Sequence, residues 1–191
     1  MNRIIEYINH YSQLSDSSIK MLKEAVVHCS FKNKELIVRA NVRNRYAYFI
    51  SEGTTRSYWL HEGEEITTSF TSHVSIVFSM DELYYNLPSQ EYVAAIGNVS
   101  AYKIRIEDLR NLVFKNLDLC NYFRIIHQDE YRRLHQCHRE RLTLTAKQRY
   151  IAFRKQFPDI VRNVPLSYIA SYLGITLSTL SRLRKAELDE I

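Results

Sequence analysis

The chain has 191 residues, 46% of them hydrophobic, enough to bury a proper core in one medium domain or two small ones. No apolar run approaches the ~20 residues of a membrane span, and the first ten residues lack the unbroken apolar stretch of a secretory signal, so the expected location is cytoplasmic with no membrane partner. Charge is uneven: residues 1–100 carry a net −2 and residues 101–191 a net +7, and between 139 and 185 ten basic side chains outnumber Glu140 and Asp159, which fits a polyanion binder behind a near-neutral front half.

Cys29, Cys120 and Cys137 are widely spaced with no CxxC pair, which argues against a disulfide framework, a zinc knuckle or a cysteine-ligated cluster. In the first ~25 residues, Ile4, Ile5, Ile8 and Tyr11 share one helical face, and Ile19, Leu22, Ala25 and Val26 form a second stripe behind a cap at Ser15-Asp16. From Cys29 to about Ile106 the texture is that of short strands, at 35–39, 46–51, 55–60, 65–70, 74–78, 92–96 and 100–104. His61-Glu62-Gly63-Glu64 is a plausible hairpin turn between two of them. Strands of this number and spacing predict a small barrel or roll.

Helix returns at 106–114, and a longer helical stretch runs from about Leu117 to Arg141 without glycine or proline. Leu119, Phe123, Ile126, Leu134 and Cys137 give it a roughly heptad seam, read as a dimer contact, with packing against its own barrel as the alternative. Residues 146–157 form another helix with Tyr150, Phe153 and Phe157 on one face, stopped by Pro158. His127, His135 and His138 read as solvent-exposed histidines of the connecting helix. No nucleophile motif or glycine-rich phosphate loop is present, so neither catalytic residues nor metal ligands are expected.

The stretch from Pro165 to Lys185 carries the most information. Pro165 suits a helix start, and Ile169, Ala170 and Leu173 make that helix apolar on one side. Gly174 can take the left-handed conformation that ends it. Thr176 can cap a second helix whose Leu180 and Leu183 point inward. The other side shows Leu177, Ser178, Ser181, Arg182 and Lys185, a small and basic face of the kind a DNA major groove accepts. After Lys185 only 186–191 remain, so the β-hairpin wing that often follows such a helix is expected to be reduced or absent.

With a β-roll, a long connecting helix and a helix-turn-helix in that order, the chain resembles the Crp/Fnr family of bacterial transcription regulators, in its Bacteroidetes-type branch. The resemblance is strongest over 140–150 and 164–185 and looser over 46–58. It implies an α+β fold: a double-stranded, jelly-roll type β-roll like a cyclic-nucleotide-binding domain over 1–116, a connecting and dimerisation helix over 117–141, and a helix-turn-helix domain over 142–191. It also implies a homodimer on double-stranded DNA reading a near-palindromic operator, with RNA polymerase as a further partner.

By the same resemblance Arg182 is the principal base reader, able to bond a guanine bidentately, with Leu177, Ser178 and Ser181 beside it. Leu177 and Ser178 depart from the charged or polar base reader, or proline-glutamate pair, that relatives often carry there. Ser167, Thr176, Thr179, Arg184 and Lys185 are the expected phosphate contacts. Relatives that bind cyclic AMP use a glycine-glutamate pair followed by an arginine and a small hydroxyl residue. Here the region holds Asp81 and Glu82 without the glycine, and Ser89, Gln90 and Glu91 where the arginine and hydroxyl should be. A carboxylate would repel the phosphate, so the cassette reads as degenerate: no cofactor, no cyclic AMP, and room for another small effector or none. The alternative from another class is a cupin-like metal-dependent enzyme or small-molecule binder, although His61 and His73 lack the paired-histidine spacing such an enzyme needs.

Overall fold

The computed structural model describes residues 1–72 and 74–188, so His73 and 189–191 lie outside the described residues. Two helices open the chain, α1 (Asn2–Tyr11) and α2 (Asp16–Ala25). Six strands follow: β1 (Val27–Phe31), β2 (Leu36–Val38), β3 (Tyr46–His61), β4 (Glu64–Thr71), β5 (Ser75–Val77) and β6 (Tyr92–Arg105). A π-helical turn, Asp81–Tyr85, sits between β5 and β6. Then come α3 (Ile106–Lys115), α4 (Leu117–Thr143), α5 (Ala146–Gln156), α6 (Pro158–Asn163), α7 (Leu166–Leu173) and α8 (Leu177–Leu188). A wing, if any, would fall largely on positions past Leu188, outside the described residues.

The strands are fewer and longer than their sequence texture predicts. Segments 46–51 and 55–60 are one strand, β3, and 92–96 and 100–104 are one strand, β6. These two antiparallel strands are the spine of the roll. β1 and β2 pair with β6, while β4 and β5 pair with β3, giving the order β1-β6-β3-β4. The apparent gaps in the sequence are irregularities within the pairing. The β3–β6 register shifts between Ile50 and Glu52 and again between Glu52 and Thr54. Gly53 stands there at φ +103°, and a Cβ on it would lie 2.5 Å from the Asn98 carbonyl oxygen. Glycine is required because the second strand passes where a side chain would be. The expected hairpin turn is present, with Glu62 and Gly63 both at positive φ as a two-residue turn of that twist needs.

Three apolar cores result. Ile37, Ile50, Val93, Val99 and Ala101 fill the roll. Ile4, Ile8 and Leu22 of α1 and α2 pack with Phe49, Ile104, Leu109, Leu119, Tyr122 and Phe123 on its outer face. Tyr150, Phe153, Ile160, Ile169, Leu173 and Leu180 form the helix-turn-helix core, and Phe70 of β4 is buried among them. Pro158 ends α5, as expected, but also opens α6, since a proline costs nothing at a first helical position.

Asp118 in the first turn of α4 ties the opening helices to it. It accepts from the Ser15 and Leu119 N–H groups, both at 2.8 Å, and from the Ser18 hydroxyl at 2.8 Å. Ser15 meanwhile caps α2, accepting from Ser18 N–H. Burial would raise the Asp118 carboxyl, but these hydrogen bonds outweigh it and hold the group below the usual carboxylate range. The stability this provides is complete above the unfolded aspartate range and is lost as pH falls through the lower folded value. Asp118→Asn is therefore expected to lower stability at neutral pH and flatten its acid dependence, read from urea midpoints across pH. Gly53→Ala is expected to cost at least about 2 kcal/mol, from positive φ and the blocked Cβ site together. Gly63→Ala, with open space around it, should cost only about 1 kcal/mol, measured by the same denaturation.

Candidate nucleic-acid interface

The turn between α7 and α8 is built as its residues require. Pro165 is the N-terminal cap of α7, one position earlier than a first-turn proline. Gly174 closes the helix at φ +64°, where its N–H reaches the Ser171 carbonyl at 3.1 Å and the Ile175 N–H reaches Ala170 at 3.1 Å. Thr176 then caps α8, its hydroxyl accepting from Thr179 N–H at 3.2 Å. Leu180 is fully buried against Ile169 and Leu173, which fixes the rotation of α8 about its axis.

That rotation turns the expected base-reading residues outward. Leu177 is half exposed, and Ser178, Ser181 and Arg182 are exposed on the same face. Of the expected phosphate contacts, Ser167, Thr176, Arg184 and Lys185 are exposed, and Thr179 is partly buried. Among the described residues, Arg182 makes a 3.4 Å contact to the Thr179 hydroxyl and no ion pair. The arrangement can deliver one rigid fork of donors and several hydroxyls to a groove.

The unit is not free of the roll. β4 is an edge strand, and α7 covers it. Ser171 of α7 accepts from Thr67 N–H at 2.9 Å and donates to the Glu65 carbonyl at 2.8 Å, so one side chain occupies the place of a neighbouring strand. Arg56 of β3 is 3% exposed and lies over the Tyr168 ring of α7 at 3.8 Å and the Tyr58 ring at 4.6 Å. It also donates to the Thr67 hydroxyl at 2.8 Å and pairs with the Glu65 carboxylate. Phe70 meets Phe153 and Tyr172 beside them.

No protein-family model and no curated protein matches the sequence, but solved structures match its fold. FixK2 from Bradyrhizobium japonicum is 20% identical, with 86% of this chain and 85% of that one aligned at a TM-score of 0.73. A regulator of the Crp/Fnr family from Eubacterium rectale gives 15% identity, 93% and 85% coverage and 0.74. A CooA variant from Carboxydothermus hydrogenoformans gives 14%, 97% and 84%, and 0.73. This is the Crp/Fnr fold.

Within that fold, the cassette region is held by its own hydrogen bonds. The Glu82 side chain is 9% exposed and lies 3.4 Å from Arg43. Arg110 of α3 clamps the backbone behind it, donating to the Leu83 carbonyl at 2.7 Å and that of Glu82 at 3.1 Å. Asp81 accepts from Gln90 N–H at 3.1 Å, and the buried Ser89 donates to the Glu91 carbonyl at 2.9 Å. Glu91 turns away from these four and accepts from the Thr68 hydroxyl. Burial pushes its carboxyl up, against the pull of that hydrogen bond.

The seam expected on α4 divides. Leu119 and Phe123 are buried in the chain's own core and Ile126 packs at its margin, because α1 and α2 supply the cover that a partner helix was expected to give. Cys137 is partly buried, 3.4 Å from the Tyr172 hydroxyl. Leu134 is exposed, in a stripe with Tyr131, His138 and Leu142. Sequence reasoning missed Arg56 and Ser171. An arginine amid the alternating residues 54–60 was a weak signal for the first, and nothing marked the second.

Ser171→Val keeps the size of the side chain and removes both hydrogen bonds. It leaves the N–H of the fully buried Thr67 without an acceptor, an expected loss of about 1–3 kcal/mol. Hydrogen exchange should show faster exchange at Thr67 and a lowered denaturation midpoint.

Proposed function

We propose that the chain is a DNA-binding transcription regulator and not an enzyme, acting as a homodimer that reads a near-palindromic operator through α8 without needing cyclic AMP. The observation that carries this reading is the exposed Leu177-Ser178-Ser181-Arg182 face on a helix whose rotation Leu180 fixes. The basic excess of the second half supplies affinity for the phosphate backbone through Ser167, Thr176, Thr179, Arg184 and Lys185.

Dimer formation is supported by the α4 stripe of Tyr131, Leu134, His138 and Leu142, recurring at three- and four-residue intervals. Two such stripes can bury one another along paired helices, and a two-fold dimer implies a two-fold site. Independence from cyclic AMP is supported by the closed cassette: Glu82 is turned inward to Arg43, and Glu91 is a carboxylate near the place where a phosphate needs a cation. The site for RNA polymerase remains an inference from the fold. Among the described residues no group of three or more His, Cys, Asp or Glu is placed to hold a metal ion, so the metal-enzyme alternative has no observation to favour it. No helix among those residues is long and apolar enough to cross a membrane.

Selection from a random-sequence duplex pool at fixed salt, with and without cyclic AMP, tests this function. The expected result is a near-palindromic motif unaffected by the nucleotide; retention that depends on salt alone would remove the specific-regulator reading. On the selected site Arg182→Ala is expected to cost about 1–3 kcal/mol and relax preference at one base pair, while random DNA binds nearly as before. Leu134→Asp is expected to halve the solution mass and leave the melting temperature of the subunit nearly unchanged, by light scattering and calorimetry.

A further inference from the structure

Beyond Ile126 the outer stripe of α4 is bare: Tyr131 and Leu142 are each 73% exposed and Leu134 is 52% exposed. His138 is exposed midway along it, one helical turn from both Leu134 and Leu142. Where two copies of a helix pair in parallel about a two-fold axis, a seam position meets its own counterpart. The proposed function sets the pairing parallel, because both recognition helices must lie at the same end of the pair to reach one operator. In that pairing His138 faces the same imidazole of the second copy.

The surroundings of His138 are cationic. His135 and Arg141, three residues away on either side, are its neighbours on the helix surface, and 131–143 carries four arginines against the single acid Glu140. Glu140 is two positions on, so it does not face His138, and it accepts from the Gln136 amide. Glu130 is taken by Arg133 at 2.6 Å. Cys137 shares a 3.4 Å hydrogen bond with the Tyr172 hydroxyl of α7, and Arg141 donates to the Tyr172 carbonyl at 3.3 Å. The space beside the stripe also receives Arg149 of α5 and, from the roll, Glu91, which accepts from the Thr68 hydroxyl. His127 lies three turns back, held between Tyr84 and the Phe123 carbonyl. Among the described residues no carboxylate forms an ion pair with His138. Two neutral imidazoles can meet, one N–H donating to the other ring; two imidazolium ions repel, and the arginines on both helices add to that repulsion.

We propose that protons control the meeting of the two copies: neutral His138 closes the α4 seam and protonated His138 opens it, a switch that rests on the homodimer proposed above. The separated chains take up protons that the closed seam excludes. By linkage the pairing is strongest above the range in which imidazole gains its charge and is lost as pH falls through that range. The proton thus acts on the same two-fold contact that brings two recognition helices to one site.

The test is sedimentation equilibrium of the full chain, free of DNA, at about pH 7.5 and about pH 5.5, which span the imidazole range. The dimer dissociation constant is expected to rise roughly tenfold or more on acidification, while circular dichroism shows the fold unchanged. Added salt is expected to recover part of the loss at the lower pH, because the repulsion is between charges. His138→Gln keeps a polar side chain that cannot take up a proton, and is expected to dimerise alike at both values. His135→Gln, off the line of Leu134, His138 and Leu142, is expected to keep most of the pH dependence. A dimer with the same dissociation constant at both values, or a pH dependence that survives in His138→Gln, would overturn the switch and leave the homodimer standing. A monomer at both values would overturn the homodimer and the switch with it.

Discussion

The seating of α7 on the open edge of β4 is the contact on which the rest of the molecule turns. An edge strand offers unpaired backbone groups, and here two of them are met by one serine from a different unit. The buried Arg56 beside it is tolerable only because Glu65, the Thr67 hydroxyl and two tyrosine rings surround its charge. Phe70 completes the contact by entering the helix-turn-helix core. Without α7 both the arginine and the phenylalanine would be stranded on a solvent-facing edge. The orientation of the outward face of α8 thus depends on side chains about a hundred residues away in sequence.

The parts of the molecule legible in the sequence are those set by local chemistry. Gly174, Thr176 and the spacing of Leu180 and Leu183 are short-range signals, and the turn they predict is the turn observed. Ser15 and the Glu62-Gly63 hairpin were readable for the same reason. Longer-range geometry was not. Gly53 looks like a strand boundary in one dimension, whereas in three it is a point of close passage inside a continuous strand. Likewise Leu119 and Phe123 carry the same hydrophobic spacing whether a partner helix or the subunit's own α1 and α2 covers them. Periodicity identifies an apolar face and is silent about what lies on it.

The candidate site divides in the same way. The outward positions on α8 follow from helical geometry once the inward leucines are known. At the cassette, composition gives the charges alone, among them the carboxylate of Glu91. The contact of Glu82 with Arg43, and the clamp from Arg110, depend on loops and helices brought together only by folding.

The anchoring of α4 has a mechanical consequence. Asp118 and the buried Leu119, Tyr122 and Phe123 fix its first turns to the roll, while the helix continues for 27 residues in all, about 40 Å at 1.5 Å per residue. It is a beam anchored at its first turns, with Cys137 and Arg141 meeting Tyr172 towards the far end. A tilt of about 5° at the clamp displaces the far end by roughly 3 to 4 Å over that length, on the scale of a hydrogen bond. A repacking around Phe123 that tilted the helix would thereby be felt most at Thr143, where the chain passes into the helix-turn-helix unit that carries Ser171.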